Sequence, residues 1–155
     1  MSYLSRRNAV TRMIQLNADG TQTGAADGDK VKFPTKTTSG GDGVSITTAG
    51  VISLNSARDY YITLNVDADR SNNASDIAFE WYNESTNTKM AQSAGAFESR
   101  YLPLYSDRPA KNGNEFGQLI ISQPSHDISV RLNQMGSYTA DINIGCHLFI
   151  VEVEK

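Results

Sequence analysis

The stretch from Tyr60 to Val66 places Tyr60, Ile62, Leu64 and Val66 on one face of an extended chain and Tyr61, Thr63 and Asn65 on the other. A period of two belongs to a strand with one buried face, because a helix of period 3.6 would scatter the same residues around its axis. Shorter segments repeat the pattern. Val31-Lys32-Phe33, Val44-Ser45-Ile46 and Ile52-Ser53-Leu54 precede it. Ile77, Phe79 and Trp81 follow, then Leu119 to Ile121, then Ile128, Val130 and Leu132, then Ile142 and Ile144. Between these segments lie clusters of Gly, Asn, Asp and Ser, such as Gly24 to Asp29, Ser39 to Gly43, Asp67 to Ser75 and Asn83 to Asn87. Those residues reverse the chain readily, by tolerating unusual backbone angles or by bonding their own backbone. About eight short strands at this spacing predict an all-β fold, an antiparallel sandwich of the jelly-roll kind. With 155 residues, 39% of them hydrophobic, the chain can fill one modest core.

The closing segment breaks the alternation. Leu148 and Ile150 are apolar, and so are Phe149, Val151 and Val153 on the opposite face. An antiparallel sheet with one wet face alternates more cleanly. One face of this strand therefore covers the domain's own core, and the other is expected to meet a second copy of the chain. Tyr61, Phe149, Val151 and Val153 are the residues expected at that subunit contact.

The other end reads differently. Arg6, Arg7 and Arg12 cluster near the N-terminus. Leu4 to Leu16 fits either a helix capped by Ser2 or Ser5 or an extended arm ending in a strand from Thr11 to Leu16, and the poor apolar period favours the arm. The expected organisation is an arm and linker over residues 1–29 and a jelly-roll domain over 30–155, with a long excursion from Met90 to Asn114 that holds short strand pieces around Phe97 to Leu104.

Composition narrows the function. A net charge of -3 provides no basic field to gather a nucleic acid. No apolar run has the length of a membrane span, and Met1 to Val10 has no apolar signal-peptide core. The single cysteine, Cys146, has no partner for a disulfide and no companions for a metal site. His147 follows it, and neighbours on a strand point to opposite faces, so the two are not a nucleophile and its base. Ser125, His126 and Asp127 are contiguous in a turn, which gives no triad geometry. Asp27-Gly28-Asp29 and Asp67-Ala68-Asp69 space carboxylates as calcium loops do, yet neither is closed by a Glu at the required distance. Gly40-Gly41-Asp42-Gly43 lacks the Lys-Ser/Thr of a phosphate loop. The expectation is no catalytic residues, no metal and no cofactor. Tyr82, Tyr101 and Tyr105 are the aromatics expected at a ligand surface, such as one stacking on host-surface glycan.

The order of these features resembles the tumour-necrosis-factor/complement-type globular head. The matching pieces are Val31-Lys32-Phe33-Pro34, Gly50-Val51-Ile52, Asp59 to Leu64, Asp127 to Leu132, and the closing Cys146 to Val153, roughly Lys30 to Lys155 in all. The resemblance implies a jelly roll and a homotrimer, and carries over no ligand-binding residue. Small trimeric jelly rolls of this sort also look like decoration, fibre and spike modules of tailed phages. In that setting the chain would be a virion structural protein whose arm of Arg6, Arg7 and Arg12 docks on the major capsid protein or another virion protein. The alternative is a receptor- or carbohydrate-binding fibre tip.

Overall fold

The computed structural model describes residues 10–18, 20, 22–38, 41–70, 77–90, 99–101, 104–106, 112–133, 139–142 and 145–154. Through them run β1 (Val10–Asn17), β2 (Gln22–Ala25), β3 (Thr35–Thr38), β4 (Val44–Ile46), β5 (Ile52–Leu54), β6 (Arg58–Arg70), β7 (Ile77–Asn83) and β8 (Thr88–Lys89), then β9 (Ser99–Tyr101), β10 (Leu104–Ser106), β11 (Asn112–Ser122), β12 (Ile128–Asn133), β13 (Ala140–Ile142) and β14 (His147–Glu154). They form an eight-stranded and a six-stranded sheet, antiparallel throughout, and the described residues contain no helix. The expected all-β sandwich is the observed architecture.

The alternating segment around Tyr60 is the spine of the larger sheet. β6 has β11 along one edge, and along the other it has β14 followed by β13. β1 lies beyond β14, β3 beyond β1, β9 beyond β11 and β2 beyond β13. β10, β7, β12, β5 and β4 make the smaller sheet in that order, with β8 against β7. The inward sets come from period-two patterning: Ile14 and Leu16, Tyr60, Ile62 and Leu64, Leu119 and Ile121, Leu148 and Ile150 from the larger sheet. Val44, Ile52, Phe79, Trp81, Ile128, Val130 and Leu132 face them, and Val31 and Phe33 close the core between the layers.

The boundary expected at residue 30 moves. β1 and β2 both belong to the larger sheet, so the domain takes in the chain from Val10. Of the two readings of the N-terminal segment, the strand is observed over Val10–Asn17. Arg12 is consequently not a free arm residue, since its guanidinium donates to Glu154 at 2.8 Å and to Glu152 at 3.3 Å. Arg6 and Arg7 lie outside the described residues. Val10 pairs with Glu154 and Asn17 with His147, so the chain enters the sheet beside the point where it finishes.

That end of the sandwich is closed by a buried charge. Glu152 shares the inward face of β14 with Leu148 and Ile150 and is fully buried. A lone buried carboxylate would be very costly, and this one is matched. Arg58 Nη1 donates to it at 2.6 Å and the Gly43 amide at 2.6 Å, in addition to Arg12. The Tyr60 hydroxyl beside it accepts from the Asn55 amide at 2.9 Å and donates to the Gly43 carbonyl at 3.3 Å. Burial pushes that phenol above its ordinary value, and the Glu152 charge acts in the same direction. Gly43 has no room for a side chain: a Cβ would stand 2.5 Å from Asn55 Cβ, 2.7 Å from Tyr60 Oη and 2.9 Å from Glu152 Oε2. Gly43→Ala is expected to destabilise the fold by about 1–3 kcal/mol through overpacking. Urea unfolding measures this, and an unchanged midpoint would show that the loop yields freely.

Candidate assembly surface

The odd-numbered residues of β14 face away from the core, and they meet outward residues of three other strands in register. Met13 of β1 lies opposite Val151, Val151 opposite Tyr61 of β6, and Tyr61 opposite Ile120 of β11. The four side chains form one row across the strands, about 4.8 Å per step and therefore about 14 Å long. Met13 is 59% exposed, Tyr61 37% and Ile120 38%, and among the described residues these are the exposed large hydrophobics. Three such residues scattered singly would mean nothing, but a continuous row across four strands is a candidate contact surface. Half-buried Phe149 and Val153 flank the row on either side along β14.

The residues expected at a subunit contact, Tyr61, Phe149, Val151 and Val153, thus share one outer face. Sequence reasoning missed Met13, which it had assigned to the arm, and Ile120. A signal for Ile120 was present, since Leu119-Ile120-Ile121 is a continuous apolar run like the one in β14. Further along the face the surface turns polar. Gln15 donates to Asn17 at 2.6 Å, and His147 lies between Asn17 and Asn65 in register. Its Nδ1 meets the Gly145 carbonyl at 2.9 Å. A carbonyl only accepts, so the ring proton sits on Nδ1 and Nε2 accepts from Asn65 at 3.0 Å. Cys146, by contrast, is fully buried, so the adjacent pair is split between core and surface.

The outer face of the smaller sheet has a different character. Glu84, just past β7, takes Lys30 Nζ at 2.5 Å, Ser129 Oγ at 2.5 Å and Arg131 Nη2 at 2.6 Å. Lys89 pairs with buried Glu80 on the same sheet. The Arg131 guanidinium lies over the Tyr82 ring, 4.4 Å from its centroid. Tyr82 was expected to stack on a ligand, and one face of its ring carries this guanidinium. Tyr101 falls in β9 of the larger sheet, whereas Tyr82 and Tyr105 fall in β7 and β10 of the smaller. Among the other residues weighed for chemistry, Asp29 accepts the Ala26 amide at 2.8 Å and so closes its own turn. His126 has its Nε2 buried with no hydrogen-bond partner among the described residues, so Ser125-His126-Asp127 is not a relay. No group of three His, Cys, Asp or Glu capable of holding a metal occurs among the described residues.

No family model matches the sequence, and no curated protein matches it. Solved structures do. Eiger TNF from S. frugiperda superposes with a TM-score of 0.60 at 10% identity, over 95% of this chain and 92% of that one. The fold is the tumour-necrosis-factor-type jelly roll. Murine APRIL, in a crystal structure at pH 8.0, matches with a TM-score of 0.58 at 10% identity, over 92% of this chain and 98% of that one. At such identity the likeness is one of backbone path, and the outer-face residues of this jelly roll have to be read from its own geometry.

The ionic cluster on the smaller sheet has a pH signature. Burial alone would raise the Glu84 carboxyl, but the bonds from Lys30, Ser129 and Arg131 outweigh it and hold the group down from 4.5 to about 2. Its contribution to stability is complete above the unfolded value of 4.5 and is lost as pH falls toward about 2. Denaturant midpoints measured between those limits are expected to fall less steeply for Glu84→Gln than for the native chain. Parallel profiles would show that the cluster adds no net stability.

Proposed function

We propose that this chain is a non-enzymatic virion structural protein that forms a homotrimer through the outer face of the larger sheet and serves as a capsid-decoration or head-fibre module. The observation that carries the reading is the row Met13, Val151, Tyr61 and Ile120. Four strands deliver apolar side chains to one line on a face that the chain's own core does not use. A closed ring of copies buries such a face without leaving a new edge exposed. Three copies is the number that the jelly-roll resemblance implies. The outer face of the smaller sheet then stays outside the contact, its Lys30 and Arg131 already paired with Glu84.

The position of the termini supports docking on a larger particle. β1 starts at Val10 opposite Glu154, so residues 1–9, with Arg6 and Arg7, enter at the end where β14 finishes. In a trimer with parallel subunits, three basic segments enter at one end and would face an acidic shell surface together. Weak contacts presented in this way gain from each other through effective concentration. A receptor- or carbohydrate-binding fibre tip is the second reading, and a groove at the opposite end of the sandwich favours it.

The native chain is expected to scatter light at three times its 16.9 kDa mass. Tyr61→Asp combined with Ile120→Asp should yield a folded monomer, because both positions are solvent-exposed in the single chain. A trimer that survives both changes would place the interface elsewhere. Docking is tested by a chain starting at Val10, which removes the arm but leaves β1 in the sheet. A cut at Lys30 would remove two strands of the domain and could not separate docking from folding. The Val10 chain is expected to stay trimeric and to lose occupancy on particles, and full occupancy would overturn the docking role.

A further inference from the structure

A groove runs across the end of the sandwich opposite the termini. It lies between the chain after β1 and the turn that joins β4 to β5. Two adjoining hollows of about 260 and 450 Å³ make it up, sharing Gln22, Lys32 and Thr48. Both lie near the range usual for small-molecule pockets. The first has an apolar floor of Ala18, Pro34 and Ile142, and the second is bounded by Asp29 and Lys30.

The walls are held in place. Gln22 is locked by two backbone bonds, donating to the Lys30 carbonyl at 3.0 Å and accepting from the Lys32 amide at 3.2 Å. The opposing turn is pinned just as firmly. The Gly50 amide donates to Thr47 O at 3.1 Å, and Val51 N donates to Thr47 Oγ1 at 3.1 Å. Gly50 has φ of +85° and sits so close to Val31 that a Cβ would stand 2.5 Å from its carbonyl oxygen. A left-handed backbone at a close approach is a glycine position, and it fixes Thr48 and Ala49 against the groove. A preformed wall spares a ligand the cost of ordering it.

Lys32 is the odd residue. Arg12, Lys30, Lys36, Arg58, Lys89 and Arg131 all make ion pairs. Among the cations whose side chains are described, Lys32 alone makes none, although it borders both hollows. An unmatched ammonium, a locked carboxamide, a hydroxyl, a carboxylate and an apolar floor suit a compact ligand that is anionic at one point, hydroxylated around its rim and apolar on one face. We infer that the groove binds a carboxylated sugar. Lys32 takes the carboxylate, Thr48 and Gln22 the hydroxyls on one side, Asp29 those toward Lys30, and the ring's C–H face rests on Pro34 and Ala18. This site is distinct from the tyrosine surface considered above, and it rests neither on the trimer nor on the docking arm.

Calorimetric titration of the full chain with glucuronic acid and with N-acetylneuraminic acid tests it, with glucose and inorganic phosphate as comparison ligands. At least one acid sugar is expected to bind saturably at millimolar concentration or below. Lys32→Gln should weaken that binding at least about tenfold, as loss of a charge-assisted bond does. Tyr82→Ala should leave it unchanged, and Lys32→Gln, at an exposed side chain, should keep the native melting temperature. Four outcomes each overturn the inference: no binding of either acid sugar, equal binding of glucose, equal binding of phosphate, or undiminished binding by Lys32→Gln.

Discussion

The pairing of the first strand with the last organises this molecule. Val10 to Asn17 runs antiparallel to His147 to Glu154 over the whole length of both, and it turns β14 from an edge into an interior strand. An interior strand can have both faces covered, and that accounts for the unusual composition of the chain's closing residues. Its inward set packs the core and finishes in Glu152, whose charge is tolerable because β1 and β6 bring Arg12 and Arg58 to it. Its outward set supplies the middle of the apolar row. Without β1 there would be no Arg12 for Glu152 and no Met13 for the row.

The two outer faces show how one sandwich keeps its surfaces distinct. On the smaller sheet, positions that could present apolar or aromatic groups are locked into Glu84, Arg131, Lys30 and Ser129, and Tyr82 lies under a guanidinium. On the larger sheet, Met13 and Ile120 stand without such cover. A surface satisfied by its own ion pairs gains little from a partner, whereas an apolar row gains by leaving water. The asymmetry gives the domain one outer face with an exposed apolar row and one laced with ion pairs.

Much of this was legible in the residues. The period of two around Tyr60 marked the spine of the sheet, and the doubly apolar Leu148 to Val153 marked a strand with apolar residues on both faces. Sequence could not show which strands lie side by side. Met13 joins the row and Arg12 leaves the arm only because β1 pairs with a strand some 140 positions away, and no local pattern encodes that contact. Strand membership was hidden in the same way: Tyr101 and Tyr105 are four apart in sequence yet fall in strands of different sheets. Lys32 reads as an ordinary exposed lysine until its neighbours show that the other described cations are matched.

The first-to-last pairing also has a consequence in time. β1 emerges early in synthesis but cannot find its partner until residues 147–154 have cleared the ribosome. Contacts of such long range form late, and they make folding slow compared with a chain of local contacts. Val151 sits in the row between Met13 and Tyr61, so the finished row exists only on chains that already hold their last strand. A nascent or truncated chain lacks the central member of its own contact surface. The topology thereby ties the completeness of this outer row to the completeness of the sheet.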